Sequence, residues 1–259
     1  MVKIQDLLES GVHFGHRVTK WNPRMAPFIF GERNGIHIID LVQTLQYLNE
    51  ISNFLKDFKR ETVRLSERTS RPKEILLVGT KKQASSLVQN MAETLNTNFQ
   101  SNGNDESRVP FHAHYVNHRW LGGLLTNWET MRLCIEQLNT LEAREASGET
   151  DTLPKKERAI LKKQTEKLQK YFGGIKTMKD KPSLVIIVGQ DFEMNAVREC
   201  QKIQNMMELR DGTNSLRTIT LLDTNCDPSL ADLFVPANDD STKSIEVILN
   251  TFTQALSAN

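Results

Sequence analysis

Short apolar runs alternate with helix-length amphipathic segments along most of this chain, and no other feature constrains the fold as strongly. A strand buried on both faces reads as a continuous apolar run, whereas a helix covering a sheet needs only one apolar stripe at a period of 3.6. A chain that alternates the two builds a parallel sheet with helices packed on it, an α/β fold. The clearest strand candidates are Ile75 to Gly79, Leu184 to Gly189 and Thr218 to Leu222. Weaker ones are Phe28 to Phe30, Ile36 to Ile39, Phe111 to Val116 and Leu233 to Val235. Helices are expected at Met1 to Ser10 (with Ile4, Leu7 and Leu8 on one side), Leu41 to Leu65, Gln83 to Leu95, Glu193 to Met207 and Thr242 to Leu256. Asp239 or Asp240 is the expected N-cap of the last.

The alternation breaks between Trp128 and Phe172, where two helical arms follow each other without a strand. On the first arm Trp128, Met131, Ile135, Leu138 and Glu142 step by three and four, nearly a heptad seam with Glu142 as its polar end. Leu161, Leu168 and Tyr171 answer on the second arm, and Ser147 to Pro154 supplies the turn. A narrow seam with charge on most other faces predicts a helical hairpin projecting from the sheet, because a sheet-covering helix needs a broader stripe. The expected organisation is a sheet domain of residues 1–127 and 173–259 with an inserted hairpin at 128–172. Thr97 to Arg108 and Gln204 to Arg217 are polar and rich in turn formers, and read as surface insertions.

With 259 residues, 38% hydrophobic and 25% charged, the composition is globular rather than disordered. No run approaches eighteen apolar residues, so a membrane span is not expected. The net charge of +1 conceals an asymmetry. Lys155, Lys156, Arg158, Lys162, Lys163, Lys167 and Lys170 crowd the second helical arm, while Asp223, Asp227, Asp232, Asp239, Asp240 and Glu246 crowd the C-terminal region. The first would lean on phosphate, the second on solvent or a basic protein. Cys134, Cys200 and Cys226 form no C-x-x-C pair and read as free thiols in a reducing compartment. Neither a secretory signal nor a transit segment is evident, so the protein is expected to be made where it works.

Two stretches mix residue types that a core or an ordinary loop keeps apart. Tyr115 to Trp128, YVNHRWLGGLLTNW, and Gly11 to Gly31, GVHFGHRVTKWNPRMAPFIFG, interleave cations, amides, aromatics and glycines. Guanidinium and amide groups position phosphates while aromatic faces stack or wedge, so the mixture suits a nucleic-acid backbone. The alternative is that each stretch is a loop buried against the protein's own sheet. The candidate nucleic-acid contacts are His16, Arg17, Lys20, Trp21, Asn22 and Arg24 in the earlier stretch, and His118, Arg119 and Asn127 in the later. Lys81 and Lys82 form a third patch, and Lys155 and Lys156 a fourth on the basic arm. Trp120, ringed by Leu121, Leu124 and Leu125, reads as the loop's own buried anchor.

A parallel sheet also invites a nucleotide- or sugar-phosphate-binding enzyme, with Lys81 and the C-terminal aspartates as its site. Val78-Gly79-Thr80-Lys81-Lys82 follows a strand and opens a helix, but it has neither the P-loop nor the dinucleotide-binding spacing. Asp223, Asp227, Asp239 and Asp240 suit magnesium as hard ligands, yet DTNCDP and PANDD are also ordinary turn and cap sequences. His112 and His114 share a strand face without a third ligand to complete a zinc site, and solvated or RNA-facing histidines explain them more simply. No Ser-His-Asp or Cys-His arrangement is present, so neither catalysis nor a cofactor or metal is expected.

Taken together, GVHFGH (Gly11 to His16), WNPRMAPFIFG (Trp21 to Gly31), GIHIIDL (Gly35 to Leu41), LLVGTKK (Leu76 to Lys82), VNHRWLGGLLTNW (Val116 to Trp128), GGI (Gly173 to Ile175), DTNCDP (Asp223 to Pro228) and PANDD (Pro236 to Asp240) resemble the bacterial-type small-subunit ribosomal protein S two family. The resemblance implies a flavodoxin-like parallel sheet with a protruding coiled-coil hairpin. It also implies a non-catalytic role in the small ribosomal subunit, binding small-subunit rRNA and neighbouring ribosomal proteins, an S one-like protein among them. The polar insertions, and a chain that stops just after its last helix, depart from many bacterial members. The wording DTNCDP is more like chloroplast members, which implies a plastid-encoded protein of the chloroplast stroma, with a bacterial cytoplasm as the alternative.

Overall fold

The computed structural model describes residues 2–69, 73–101, 111–149, 154–211 and 216–257. A short helix, α1 (Ile4–Glu9), leads into three strands, β1 (Phe14–Arg17), β2 (Ile29–Arg33) and β3 (Ile36–Ile39), and a long helix, α2 (Leu41–Thr69). There follow β4 (Lys73–Val78), α3 (Lys82–Ser101), β5 (Phe111–Val116), α4 (Trp128–Ala146), α5 (Lys155–Phe172), β6 (Leu184–Val188), α6 (Met194–Asp211), β7 (Arg217–Leu222), β8 (Leu233–Pro236) and α7 (Thr242–Ser257).

Strands β4 to β8 make one parallel sheet in the order β5-β4-β6-β7-β8. All of β6 is buried, as a central strand covered on both faces must be. Ile75, Leu77, Leu184, Ile186 and Leu221 face a cluster that takes in α2, α3 and α7. Leu76, Val78, Val185 and Ile187 face the opposite cluster, with Trp120, Leu124, Trp128, Phe172 and Cys200. The period of two along each strand therefore assigns alternate residues to two separate cores. The flavodoxin-like strand order reverses between β4 and β6, and the loops at the carboxyl ends of the strands gather beside that point.

Two of the weaker strand candidates do not join this sheet. β2 and β3 pair with β1 in a separate antiparallel sheet of order β1-β3-β2. The reason lies in their connection, Asn34 and Gly35, both with positive φ (56° and 75°). A two-residue turn of that kind joins only antiparallel neighbours, whereas parallel strands need a long crossover. β1 itself lies inside the stretch expected to be loop. In α1 only Leu7 is buried, while Ile4 and Leu8 stay exposed, so the helix contributes one anchor rather than an apolar side.

The polar insertions are partly helical. Thr97 to Ser101 finish α3, and Gln204 to Asp211 finish α6. Polar residues are accommodated there because they find partners: Thr97 Oγ1 donates to the Glu93 carbonyl, and the Gln204 amide donates to Asp232 Oδ2. Residues 102–108 and 212–215 lie outside the described residues. Neither Asp239 nor Asp240 caps α7. Asn238 Oδ1 accepts the Asp240 and Ser241 amides at 2.8 and 3.1 Å, and both aspartates turn toward Lys81 instead. Helices α4 and α5 pack on each other. Trp128, Ile135 and Leu138 of α4 are buried, Glu142 pairs with Lys176, and Lys155 to Ile160 of α5 are all exposed.

Candidate nucleic-acid interface

The stretch from Gly11 to Gly31 is held by residues from the far end of the chain. Thr224, just after β7, takes a hydrogen bond from the His16 amide on its hydroxyl (2.9 Å) and one from the Asn22 amide on its carbonyl (2.8 Å). The approach is so close that a Cβ at Gly15 would lie 2.5 Å from Thr224 Cγ2, which only glycine avoids. His16 Nδ1 lies 2.9 Å from Asp223 Oδ2, and Nε2 lies 3.4 Å from Asp240 Oδ2. The hydrogen bond to Asp223 raises the imidazole pKa above 6.5, with burial opposing and the charges of Asp223, Asp240 and Asp239 assisting. Asn22 Oδ1 accepts the Arg24 amide and so opens a short 3-10 turn, Pro23–Phe28. Arg24 itself pairs with Asp227 and Ser229. Trp21 tilts against buried His37, with ring centroids 5.2 Å apart. Arg17 and Lys20 point to solvent.

Lys81 and Lys82 part company. Lys82 is exposed. Lys81 is only 10% exposed, with Nζ 2.7 Å from Asp239 Oδ1 and 3.0 Å from Asp240 Oδ1. Burial pushes the Asp239 carboxyl up to about 6, helped by Asp223 and opposed by Lys81. Beside it, the Thr80 amide donates to Glu193 Oε1 at 2.7 Å. A phosphate at this helix start would need those N–H groups and that ammonium. The Thr80 N–H and the Lys81 ammonium are engaged by the protein's own carboxylates, and that negative charge disfavours an anion beside them. The same geometry does suit a cation. His16, Asp223, Asp239 and Asp240 each offer one ligand atom, all within 4.8 Å of one another, and buried Asp239 Oδ2 has no hydrogen-bond partner. The sequence offered three of these carboxylates together with Asp227, as hard ligands or turn residues, but not His16, which it assigned to the nucleic-acid contacts.

The second stretch closes over Glu199 of α6. Its Oε1 accepts the Trp120 indole N–H (3.1 Å) and the Gly123 amide (2.6 Å). Its Oε2 accepts the Leu125 and Thr126 amides (3.1 and 3.3 Å) and the Thr126 hydroxyl (3.3 Å). Burial alone would raise the Glu199 pKa, but the bonds from Gly123, Trp120, Leu125 and Thr126 outweigh it and lower the value. Gly123 turns with φ +89°, a conformation that side chains disfavour. Trp120, Leu124 and Leu125 are buried, so Trp120 is the anchor its leucine neighbours implied. His118 and Arg119 remain exposed just before it, and exposed Asn127 accepts the Thr130 hydroxyl at the start of α4. A lone glutamate on an amphipathic helix carries no sequence signal for such a role.

The other sequence expectations divide. His114 is neither solvated nor free, being 2% exposed with Nε2 2.6 Å from Glu74 Oε2. The acidic C-terminal region divides: Asp223 and Asp239 are buried against His16 and Lys81, Asp227 and exposed Asp240 pair with Arg24 and Lys81, exposed Asp232 accepts the Thr218 amide, and Glu246 is exposed. Burial holds the thiols of Cys200 and Cys226 up to about 12, so both stay inert. Lys155 and Lys156 sit exposed at the start of α5.

Fold and site thus define an α/β protein of flavodoxin-like strand order whose crevice at the strand ends is lined by its own paired carboxylates and which carries exposed cations on two braced loops. The family model described as Ribosomal protein S2 matches residues 7–103 and 105–258, and the chain belongs to that family. Similar proteins include the small ribosomal subunit protein uS2c of Oltmannsiellopsis viridis, 46% identical over 98% of this chain and 92% of the relative. The uS2c protein of Mesostigma viride is 44% identical over 98% and 96%, and the uS2 protein of Trichormus variabilis 41% over 99% and 83%.

Proposed function

We propose that the protein is a structural constituent of the small ribosomal subunit, that it binds small-subunit rRNA and neighbouring ribosomal proteins, and that it is not an enzyme. The observation that carries this reading is membership of the ribosomal protein S2 family over nearly the whole chain. Supporting it, the cations Arg17, Lys20, Lys82 and Arg119 are exposed, as are His118, Trp21 and Asn127 in the same two stretches as Arg17, Lys20 and Arg119. The backbone of folded RNA is bound through such groups on a rigid frame, with shape read more than sequence. His16 and Lys81 serve from within, holding the loops through Asp223, Asp239 and Asp240.

The paired helices α4 and α5 act as a coiled-coil hairpin projecting from a sheet domain of residues 1–127 and 173–259. The packing of α4 on α5 and the full exposure of Lys155 to Ile160 support this, and Lys155 and Lys156 give the arm its own cationic surface. Protein neighbours, an S one-like protein among them, meet the apolar side of the antiparallel sheet. Phe30 is 79% exposed there and Phe14 48%, a patch of the kind that marks protein contacts. The place of work is the chloroplast stroma rather than a bacterial cytoplasm, in keeping with the higher identity to the two uS2c proteins than to the Trichormus protein.

The test is sedimentation. A tagged copy expressed in its own compartment should travel with the small subunit through a sucrose gradient. Recovery only at the top of the gradient, with the free proteins, would overturn the reading.

A further inference from the structure

We infer that Glu199 is a positioning residue for RNA binding: its carboxylate fixes the loop from Trp120 to Thr126 and thereby sets where His118 and Arg119 meet the phosphate backbone. This rests on the RNA-binding reading above and deepens it.

Five donors converge on one side chain. All five come from the seven residues Trp120 to Thr126, and four of them, the indole of Trp120 and the amides of Gly123, Leu125 and Thr126, are N–H groups that would otherwise have to be satisfied by water. Glu199 belongs to α6, and its neighbour Cys200 is part of the core on one face of the parallel sheet. The carboxylate therefore refers the loop to the rigid sheet rather than to the loop's own flexible backbone. Hydrogen bonds to a charged acceptor are about twice as strong as neutral ones, and two oxygens with separate donor sets fix orientation as well as distance. The fit is specific to a carboxylate. Glutamine offers one oxygen and would turn its NH2 toward amides that are themselves donors.

Arg119 and His118 make none of these bonds and stand exposed next to the braced segment. Their side chains are exposed, and the chain that carries them runs directly into Trp120, which is buried and bonded to Glu199. Misplacing a binding group by an ångström is enough to forfeit a contact that depends on charge-assisted geometry. Glu199 carries negative charge and so opposes RNA by charge alone. A loss of affinity on removing it would accordingly be the reverse of the electrostatic expectation.

The experiment uses the full-length protein and an in-vitro transcript of the small-subunit rRNA, with wild type, Glu199→Gln, Ile203→Val and Arg119→Ala. Amide hydrogen exchange of the free protein should show at least about tenfold less protection at Gly123, Leu125 and Thr126 in Glu199→Gln, with β6 unchanged. RNA affinity should fall by about tenfold, equivalent to about 1.4 kcal/mol. Ile203→Val loosens the same helix by a small cavity and should leave affinity unchanged, which separates positioning from general destabilisation. If Glu199→Gln binds RNA as tightly as wild type, or keeps its loop protection, the inference fails. If Ile203→Val weakens binding as much, it fails too. Should Arg119→Ala also bind normally, the failure belongs to the assignment of this loop to RNA rather than to the role of Glu199.

Discussion

His16 Nδ1 lies 2.9 Å from Asp223 Oδ2, joining the antiparallel sheet near one end of the chain to the carboxyl end of β7 near the other. Because the imidazole pKa is raised in the folded protein, chiefly by that hydrogen bond, the contribution to stability has a definite sign. It is fully present below the ordinary value of 6.5 and is lost as pH rises through the raised value. The stability difference between wild type and His16→Ala, measured by urea unfolding from about pH 5.5 to about pH 8.5, should therefore shrink as pH rises. A difference that is flat or grows would remove the ion pair from the account.

Lys81 and Lys82 are adjacent in sequence and opposite in role. Lys81→Ala leaves Asp239 buried without its cation, and breaking one side of a buried pair costs about 3–5 kcal/mol. Since the Asp239 carboxyl titrates near about 6, it can take up a proton below that pH, so the penalty should be smaller at mildly acidic pH than at pH about 8. Lys82→Ala should leave thermal unfolding at the wild-type midpoint. Equal effects of the two variants would contradict the geometry.

Gly15→Ala places a methyl group 2.5 Å from Thr224 Cγ2 and 3.1 Å from the His37 carbonyl. Overpacking of this kind costs about 1–3 kcal/mol. In a Thr224→Ser background, where the methyl is gone but the hydroxyl remains, the same substitution should cost less. The check is a double-mutant cycle read by chemical denaturation, and strict additivity would show that the two residues are not in contact.

Arg17→Ala, Lys20→Ala and Arg119→Ala should each lower the salt slope of binding to a small-subunit rRNA transcript by roughly 0.7 to 0.9, with little change in folding. Arg24→Ala should lower it less, because its guanidinium already pairs with Asp227. Filter binding across a salt series decides the matter. A slope change for Arg24→Ala as large as that for Arg17→Ala would mean that the pair opens on RNA.

Much of this architecture was legible before any coordinates. Ile75 to Gly79, Leu184 to Gly189 and Thr218 to Leu222 read as buried strands because a central parallel strand has no polar face to confuse the pattern. The helices between them read correctly for the matching reason, a single apolar stripe. β1 escaped because Phe14 to Arg17 shows no alternation, being held by Thr224 and by pairing with Ile36 and Ile38 of β3 rather than by a core of its own. The polar ends of α3 and α6 escaped because their partners, such as Asp232 for Gln204, lie on other elements.

The sequence by itself determined which residues carry charge and aromatic surface into Gly11 to Gly31 and Tyr115 to Trp128, and which runs enter the sheet, since both follow from local composition and period. Only the tertiary structure decided which of those basic groups, and which of Lys81 and Lys82, remain available. Arg17, Lys20, Lys82, His118 and Arg119 stay in solvent, while His16, Arg24 and Lys81 are claimed by Asp223, Asp227, Asp239 and Asp240. The physical reason is that a charge's fate depends on what lies within a few ångströms of it. In a doubly wound sheet those neighbours come from strands far apart along the chain.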